Sequence, residues 1–278
     1  MAFKTLLSVT DPELGDRDLR IAADLCDQLH AHLSVLVLGL AAPPPVGEYA
    51  AMVSDVWLEE RQQDMKKLQE RTAAASRFLA ESAISSDLSS EYQEIAWADE
   101  AVGRRARYSD LTVIGPEMLG RETLKDKVIE GALFSSGRPL LLIPRGSRPT
   151  LKPARVMVAW DSRVEAARAV RESLEILAGA QEVRIVLVDP AERESGHGAE
   201  PGADIATYLA RHGAKVSVDR LPSEGKTVAS VLGRHAVDTA AELVVMGAYG
   251  HSRFRERILG GVTRSILENP ALPVLMAR

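Results

Sequence analysis

The sequence holds a single cysteine, Cys26, among 278 residues. A lone thiol can form neither an internal disulfide nor a multi-cysteine metal site. Cys26 lies in Arg20-Ile-Ala-Ala-Asp-Leu-Cys-Asp-Gln-Leu, a stretch of helical apolar spacing with no Lys or His beside the thiol. It therefore reads as a small buried apolar residue, not as the low-pKa thiolate of a redox sensor. Aromatic residues make up only 4% of the chain, so the core has to come from Leu, Val, Ile and Ala. No window approaches the roughly 20 apolar residues of a membrane span. The opening Met-Ala-Phe-Lys-Thr-Leu-Leu-Ser-Val turns polar at Thr10-Asp11-Pro12, too early for a secretion signal. A cytoplasmic protein without a membrane partner is expected. The formal charge of −5 is mild and of the wrong sign for gripping nucleic acid, so no nucleic-acid partner is expected either. Histidines 30, 32, 197, 212, 235 and 251 show no metal-ligand spacing, and no bound metal is expected at them. Gly-x-Ser-x-Gly is absent, and so is the Gly-Lys-Ser/Thr of a Walker loop.

Apolar residues, by contrast, reach 46% and charged residues 26%, an ordinary globular balance. Domains commonly span roughly 100–200 residues, which makes two domains the first expectation. Short β-rich runs alternate with longer stretches of helical spacing. In the first half they are Thr5–Val9, Leu33–Leu38, Leu88–Ile95, Leu111–Ile114 and Leu140–Ile143. In the second they are Arg155–Trp160, Val183–Val188, Lys215–Leu221, Leu243–Met246 and Val274–Ala277. Continuous apolar strands alternating with helices predict α/β domains, each a five-stranded parallel sheet wound on both faces. A charged, helix-forming stretch between Pro43 and Ala83 has no counterpart of equal length in the second half. It reads as a solvated crossover helix, with a lid or partner helix as the alternative.

The two halves echo each other. Ser109–Gly115 (Ser-Asp-Leu-Thr-Val-Ile-Gly) matches Ala241–Gly247 (Ala-Glu-Leu-Val-Val-Met-Gly), and Gly137–Ile143 matches Ala271–Ala277. Val9-Thr-Asp11 likewise matches Ala159-Trp-Asp161. Three matches in the same order indicate an internal duplication, with domains at 1–146 and 153–278 and a polar, Pro-containing linker between them. Duplicated chains tend to reuse a symmetric dimer interface, so pseudo-twofold symmetry is expected, with Leu140–Ile143 and Val274–Ala277 as partners.

The strongest local signal is Met246-Gly-Ala-Tyr-Gly-His-Ser-Arg-Phe-Arg-Glu-Arg-Ile-Leu-Gly-Gly-Val-Thr263, which leaves a buried strand and enters a helix near Gly260. A helix N-terminus presents unpaired N–H groups and partial positive charge, which suits phosphate. Thr263 can add a hydroxyl, and Arg253, Arg255 and Arg257 add charge nearby. The glycine spacing is too wide for the Rossmann Gly-x-Gly-x-x-Gly. The pattern resembles the Gly-x2-Gly-x9-Gly signature of the universal stress protein family, with Gly247, Gly250 and Gly260 on its three glycines. The resemblance covers both halves and implies the adenine nucleotide alpha hydrolase-like fold. Carried over by motif, it implies that Asp161 recognises the nucleoside and that Val188 lines the adenine slot, with Ala159 and Gly261 also among the nucleotide-binding positions. Met246, Gly247, Gly250, Gly260, Val262 and Thr263 would then wrap ribose and phosphates. Asp161 has a second reading as a helix cap.

One position departs from the family pattern. Nucleotide-binding members carry Ser or Thr where this chain has Gly261, which removes one hydroxyl–phosphate bond of about 1–2 kcal/mol. The first half departs further. Counting back from Pro139 puts Asp126-Lys127 where the second half has its glycine pair, so a carboxylate is expected at the helix N-terminus there. The resemblance thus implies a non-enzymatic stress-response regulator that binds ATP, with Mg, or a related adenine nucleotide in the C-terminal domain. It also implies an unidentified protein partner and leaves a further homodimer open. The alternative is a protein-interaction or small-ligand module of the same family that no longer binds nucleotide.

Overall fold

The computed structural model describes residues 3–43, 50–190, 200–250 and 261–278. They form two compact units, Phe3–Arg138 and Pro139–Arg278. The first unit runs β1 (Thr5–Thr10), α1 (Arg17–Leu29), β2 (His32–Ala41), α2 (Ala50–Glu81), β3 (Ser86–Glu94), α3 (Ala98–Ala106), β4 (Leu111–Ile114) and α4 (Glu122–Glu130). Its strands are parallel in the order β3-β2-β1-β4. Leu6, Leu7 and Val9 are buried on both sides of β1, as a continuous apolar run in a twice-covered strand requires. In α2, Leu68, Ala75 and Leu79 fall on one helical face and are buried against β2 and β3. The crossover reading of this stretch accounts for that face. Cys26 is fully buried in α1, and burial pushes its thiol up to about 12, consistent with a packing residue.

The second unit opens with β5 (Leu140–Leu142) and continues β6 (Arg155–Ala159), α5 (Val164–Glu172), α6 (Leu174–Gly179), β7 (Glu182–Val188), α7 (Ala203–Arg211) and β8 (Val216–Leu221). It ends with α8 (Val228–Asp238), β9 (Leu243–Gly247), α9 (Gly261–Glu268) and β10 (Val274–Ala277). Five strands are parallel in the order β8-β7-β6-β9-β10. β5 adds to β10 antiparallel, with Leu142 opposite Val274 and Leu140 opposite Met276. The repeat in the sequence assigns Leu140–Ile143 to the first half and expects it to partner Val274–Ala277, and that pairing is present. All three leucines of β5 are fully buried. The repeat boundaries 1–146 and 153–278 remain a proposal from the sequence echo.

Each predicted β run is a strand of the structure, most within one or two residues of the expected ends. Among the described residues no helix is long and apolar enough to cross a membrane. Counted from β6, the strand order is 3-2-1-4-5. Chain connections from the central strands therefore leave in opposite directions between β6 and β9. In open α/β sheets ligands bind outside the carboxyl ends of the strands at that switch point.

Candidate functional site

At the switch point Ala159 pairs with Met246, which brings the ends of β6 and β9 side by side. The N–H of Trp160 donates to Val186 O at 2.9 Å, so β7 follows the same edge up to Val188. The chain then turns at Asp161-Ser162-Arg163, with Ser162 at a φ of 62°. Asp161 is exposed and its Oδ1 accepts the Arg163 N–H at 3.1 Å. This bond closes a local turn ahead of α5, which starts at Val164 without a side-chain cap. Asp161 is therefore a turn residue at the sheet edge, not the cap of α5, and its Oδ2 lies 3.7 Å from Arg163 Nε.

The two described signature glycines differ in kind. A Cβ on Gly247 would stand 2.5 Å from the Ala166 nitrogen and 2.7 Å from the Glu165 carbonyl carbon. Backbone cannot yield to that, so the first turn of α5 packs against the end of β9 only because residue 247 is glycine. A Cβ on Gly250 would instead meet the movable ends of Arg163 (Cδ, 3.2 Å) and Glu165 (Oε2, 3.3 Å). Arg163 also donates from an Nη to Gly250 O at 3.4 Å. Between the glycines, Tyr249 takes a φ of 64°, a left-handed conformation uncommon for a residue with a Cβ. Its N–H donates to Thr263 Oγ1 at 3.3 Å, and Thr263 is buried in the first turn of α9.

The structure thus brings Ala159, Asp161, Met246, Gly247, Gly250 and Thr263 to one edge, with Val188 ending the neighbouring strand and Gly261 and Val262 opening α9. Gly261 is exposed, and a Cβ there would have nothing within 4 Å. Gly260, His251, Arg253, Arg255 and Arg257 lie outside the described residues, as does most of Glu194–Gly202. Among the described residues no cluster of His, Cys, Asp and Glu could hold a metal ion. Sequence reasoning missed Arg163 and Tyr249. Arg163 stands two residues from Asp161 with no motif to mark it, and the left-handed turn at Tyr249 has no residue-type signal.

The corresponding edge of the first unit, at the ends of β1 and β4, is filled by its own side chains. Asp11 Oδ1 accepts the N–H groups of Glu13 (2.8 Å) and Leu14 (2.9 Å), while its Oδ2 pairs with Arg121 at 3.0 Å. Arg121 also reaches Glu13 at 2.8 Å. Buried Arg71 of α2 donates to Thr10 Oγ1 at 3.2 Å and Gly15 O at 2.6 Å, and pairs with Asp16. The expectation of a carboxylate at the helix N-terminus through Asp126 is corrected. Helix α4 starts at Glu122, so Asp126 sits in its second turn, where burial raises its pKa. Lys127 beside it pairs with Asp99 and Glu130. The groups at the edge are instead Asp11, Arg121 and Asp18, whose contacts span 99 to 110 residues of sequence and so leave no local trace.

With this geometry in place, comparisons with known proteins add four findings. Residues 153–278 match the universal stress protein family. The universal stress protein Slr1230 of Synechocystis sp. (strain PCC 6803) is 27% identical over 155 residues, 54% of this chain and 50% of that protein. The aligned part thus spans about half the length of that curated relative. A universal stress protein from Archaeoglobus fulgidus DSM 4304 superposes with a TM-score of 0.63 at 16% identity, covering 98% of this chain and 96% of that one. A structure from Pseudomonas aeruginosa UCBPP-PA14, described as a "Putative Universal Stress Protein", gives 0.58 at 16% identity, covering 99% and 92%. At such identities the structural likeness carries the fold alone.

Proposed function

The chain belongs to the universal stress protein family through residues 153–278, and from that premise we propose that its second unit is a regulatory receptor for ATP or a related adenine nucleotide. The observation that carries the reading is the junction of Tyr249 and Thr263. It ties the loop after β9 to the first turn of α9 at the sheet's switch point, so hydroxyl, glycine backbone and helix start converge. Asp161 would take the nucleoside end, with Ala159 and Val188 along the base. Met246, Gly247, Gly250 and the segment from Gly260 to Thr263 would face ribose and phosphates. Mg would arrive with the triphosphate and offset its charge. The expected output is a change of conformation or of protein partner without turnover, since the sequence carries no Walker lysine.

A second reading, a module of the same family that has given up nucleotide, is favoured by two specific features. Gly261 offers no hydroxyl, and the Glu165 carboxylate lies beside Gly250, where phosphate would compete with it. Mass spectrometry of small molecules released from the purified, denatured protein tests both readings, followed by calorimetric titration of ATP. One strong site is expected. No nucleotide released and no heat at millimolar ATP would sink the receptor reading in favour of the second. Multiple-turnover hydrolysis, abolished by a substitution that spares binding, would make the protein an enzyme instead.

A further inference from the structure

The first unit contains a buried carboxyl group where its fourth strand ends. Asp18, the second residue of α1, is buried, and its carboxylate accepts the N–H of Glu117 at 3.1 Å and of Met118 at 2.8 Å. Both donors follow Gly115 at the end of β4. A Cβ on Gly115 would overlap the Asp18 carboxyl group, so only glycine at that position admits the carboxylate. The second unit repeats the plan with a different occupant. Gly247 ends β9 as Gly115 follows β4, and Glu165 is the second residue of α5 as Asp18 is of α1. Tyr249, the counterpart of Glu117, gives its N–H to Thr263 instead, and the Glu165 carboxylate stops beside Gly250.

We propose that Asp18 is a built-in anion, its carboxylate standing where a ligand's phosphate would stand in a unit of this fold, so that the first unit is self-liganded. The proposal rests on reading the loop after the fourth strand as the phosphate end of the fold, as the function proposed above does for the second unit. The carboxylate binds two backbone N–H groups as a phosphate oxygen pair would, and it needs no helix dipole because the donors lie in the turn itself. Burial raises the pKa of Asp18 and the adjacent Glu117 adds to this, while the two N–H bonds oppose it. Arg17 of the same helix turn also favours the ionised form. The Asp11–Arg121–Glu13 network closes the other side of the same edge, so the unit keeps the closed loop without ligand.

The test is hydrogen exchange of the full chain, read on peptides covering residues 115–121, for wild type, Asp18→Ala and Asp18→Asn, each with and without inorganic phosphate. In Asp18→Ala the Glu117 and Met118 amides should exchange about tenfold faster or more, the scale of one lost hydrogen bond to a charged group. Phosphate should restore their protection in Asp18→Ala and leave the same peptides of wild type unchanged. Asp18→Asn keeps the cavity filled but loses the charge, so it should lose protection without regaining it on phosphate addition. Wild-type protection in Asp18→Asn, or an Asp18→Ala loop that loosens in a folded protein and ignores phosphate, would overturn the proposal. Should Asp18→Ala fail to fold, the asparagine variant decides alone. The readout lies wholly in the first unit. Failure of wild type to bind ATP would therefore defeat the receptor reading of the second unit while leaving these exchange results to stand or fall separately.

Discussion

Thr263 Oγ1 receives the N–H of Tyr249 at 3.3 Å, joining the buried first turn of α9 to a left-handed residue in the loop after β9. The same hydroxyl is the first side-chain donor within α9, and a phosphate could use it. In the proposed receptor, structure and ligand would share this one atom, and substitutions there would have two readouts.

Thr263→Ala should weaken ATP by about 1–2 kcal/mol, the scale of a hydrogen bond to a charged group. Adenosine, lacking phosphates, should lose much less. Isothermal titration of both ligands checks this, and equal losses for the two would show that Thr263 does not face the phosphates.

Gly261→Ser should act in the opposite direction. The position is exposed and a Cβ there meets nothing within 4 Å, so serine enters without strain. Restoring the hydroxyl should tighten ATP by roughly tenfold. Unchanged affinity would place the phosphates away from the start of α9.

The two described signature glycines should separate stability from binding. Gly247→Ala drives a methyl into the backbone of Glu165 and Ala166, and overpacking of this kind costs about 1–3 kcal/mol. Gly250→Ala meets only the side-chain ends of Arg163 and Glu165, so its denaturant midpoint should stay close to wild type. Equal destabilisation in urea would contradict the packing described here.

Asp161→Ala should weaken ATP and adenosine alike, because the carboxylate sits at the expected nucleoside end. As an exposed turn residue it should change thermal stability little. A loss confined to ATP would move Asp161 to the phosphate end.

The buried acid predicts a pH signature. The pKa of Asp18 is raised in the folded state, so the folded protein takes up this proton at a higher pH than the unfolded chain does. Wild type should therefore gain stability relative to Asp18→Asn as pH falls through the raised pKa, the gain being complete below the ordinary value of 3.8. Urea midpoints of the two proteins at several pH values give the difference, and a flat or opposite trend would contradict it.

The sequence by itself determined the ten strands, the duplication and the pairing of the two closing strands. Those follow from apolar periodicity and local echo, which neighbouring residues carry. It also marked the edge that holds Asp161, Gly247 and Thr263, because a glycine signature after a buried strand is local information. Two matters were decided only by tertiary structure. Gly247 is required by the backbone of α5, which approaches from some 80 residues earlier in the chain, a distance read from the numbering. The first unit's edge is filled by Asp18, Asp11 and Arg121, whereas the sequence pointed to Asp126. Alignment counted positions along a loop, but a carboxylate settles where N–H groups and cations meet it in space, and those partners lie about a hundred residues away.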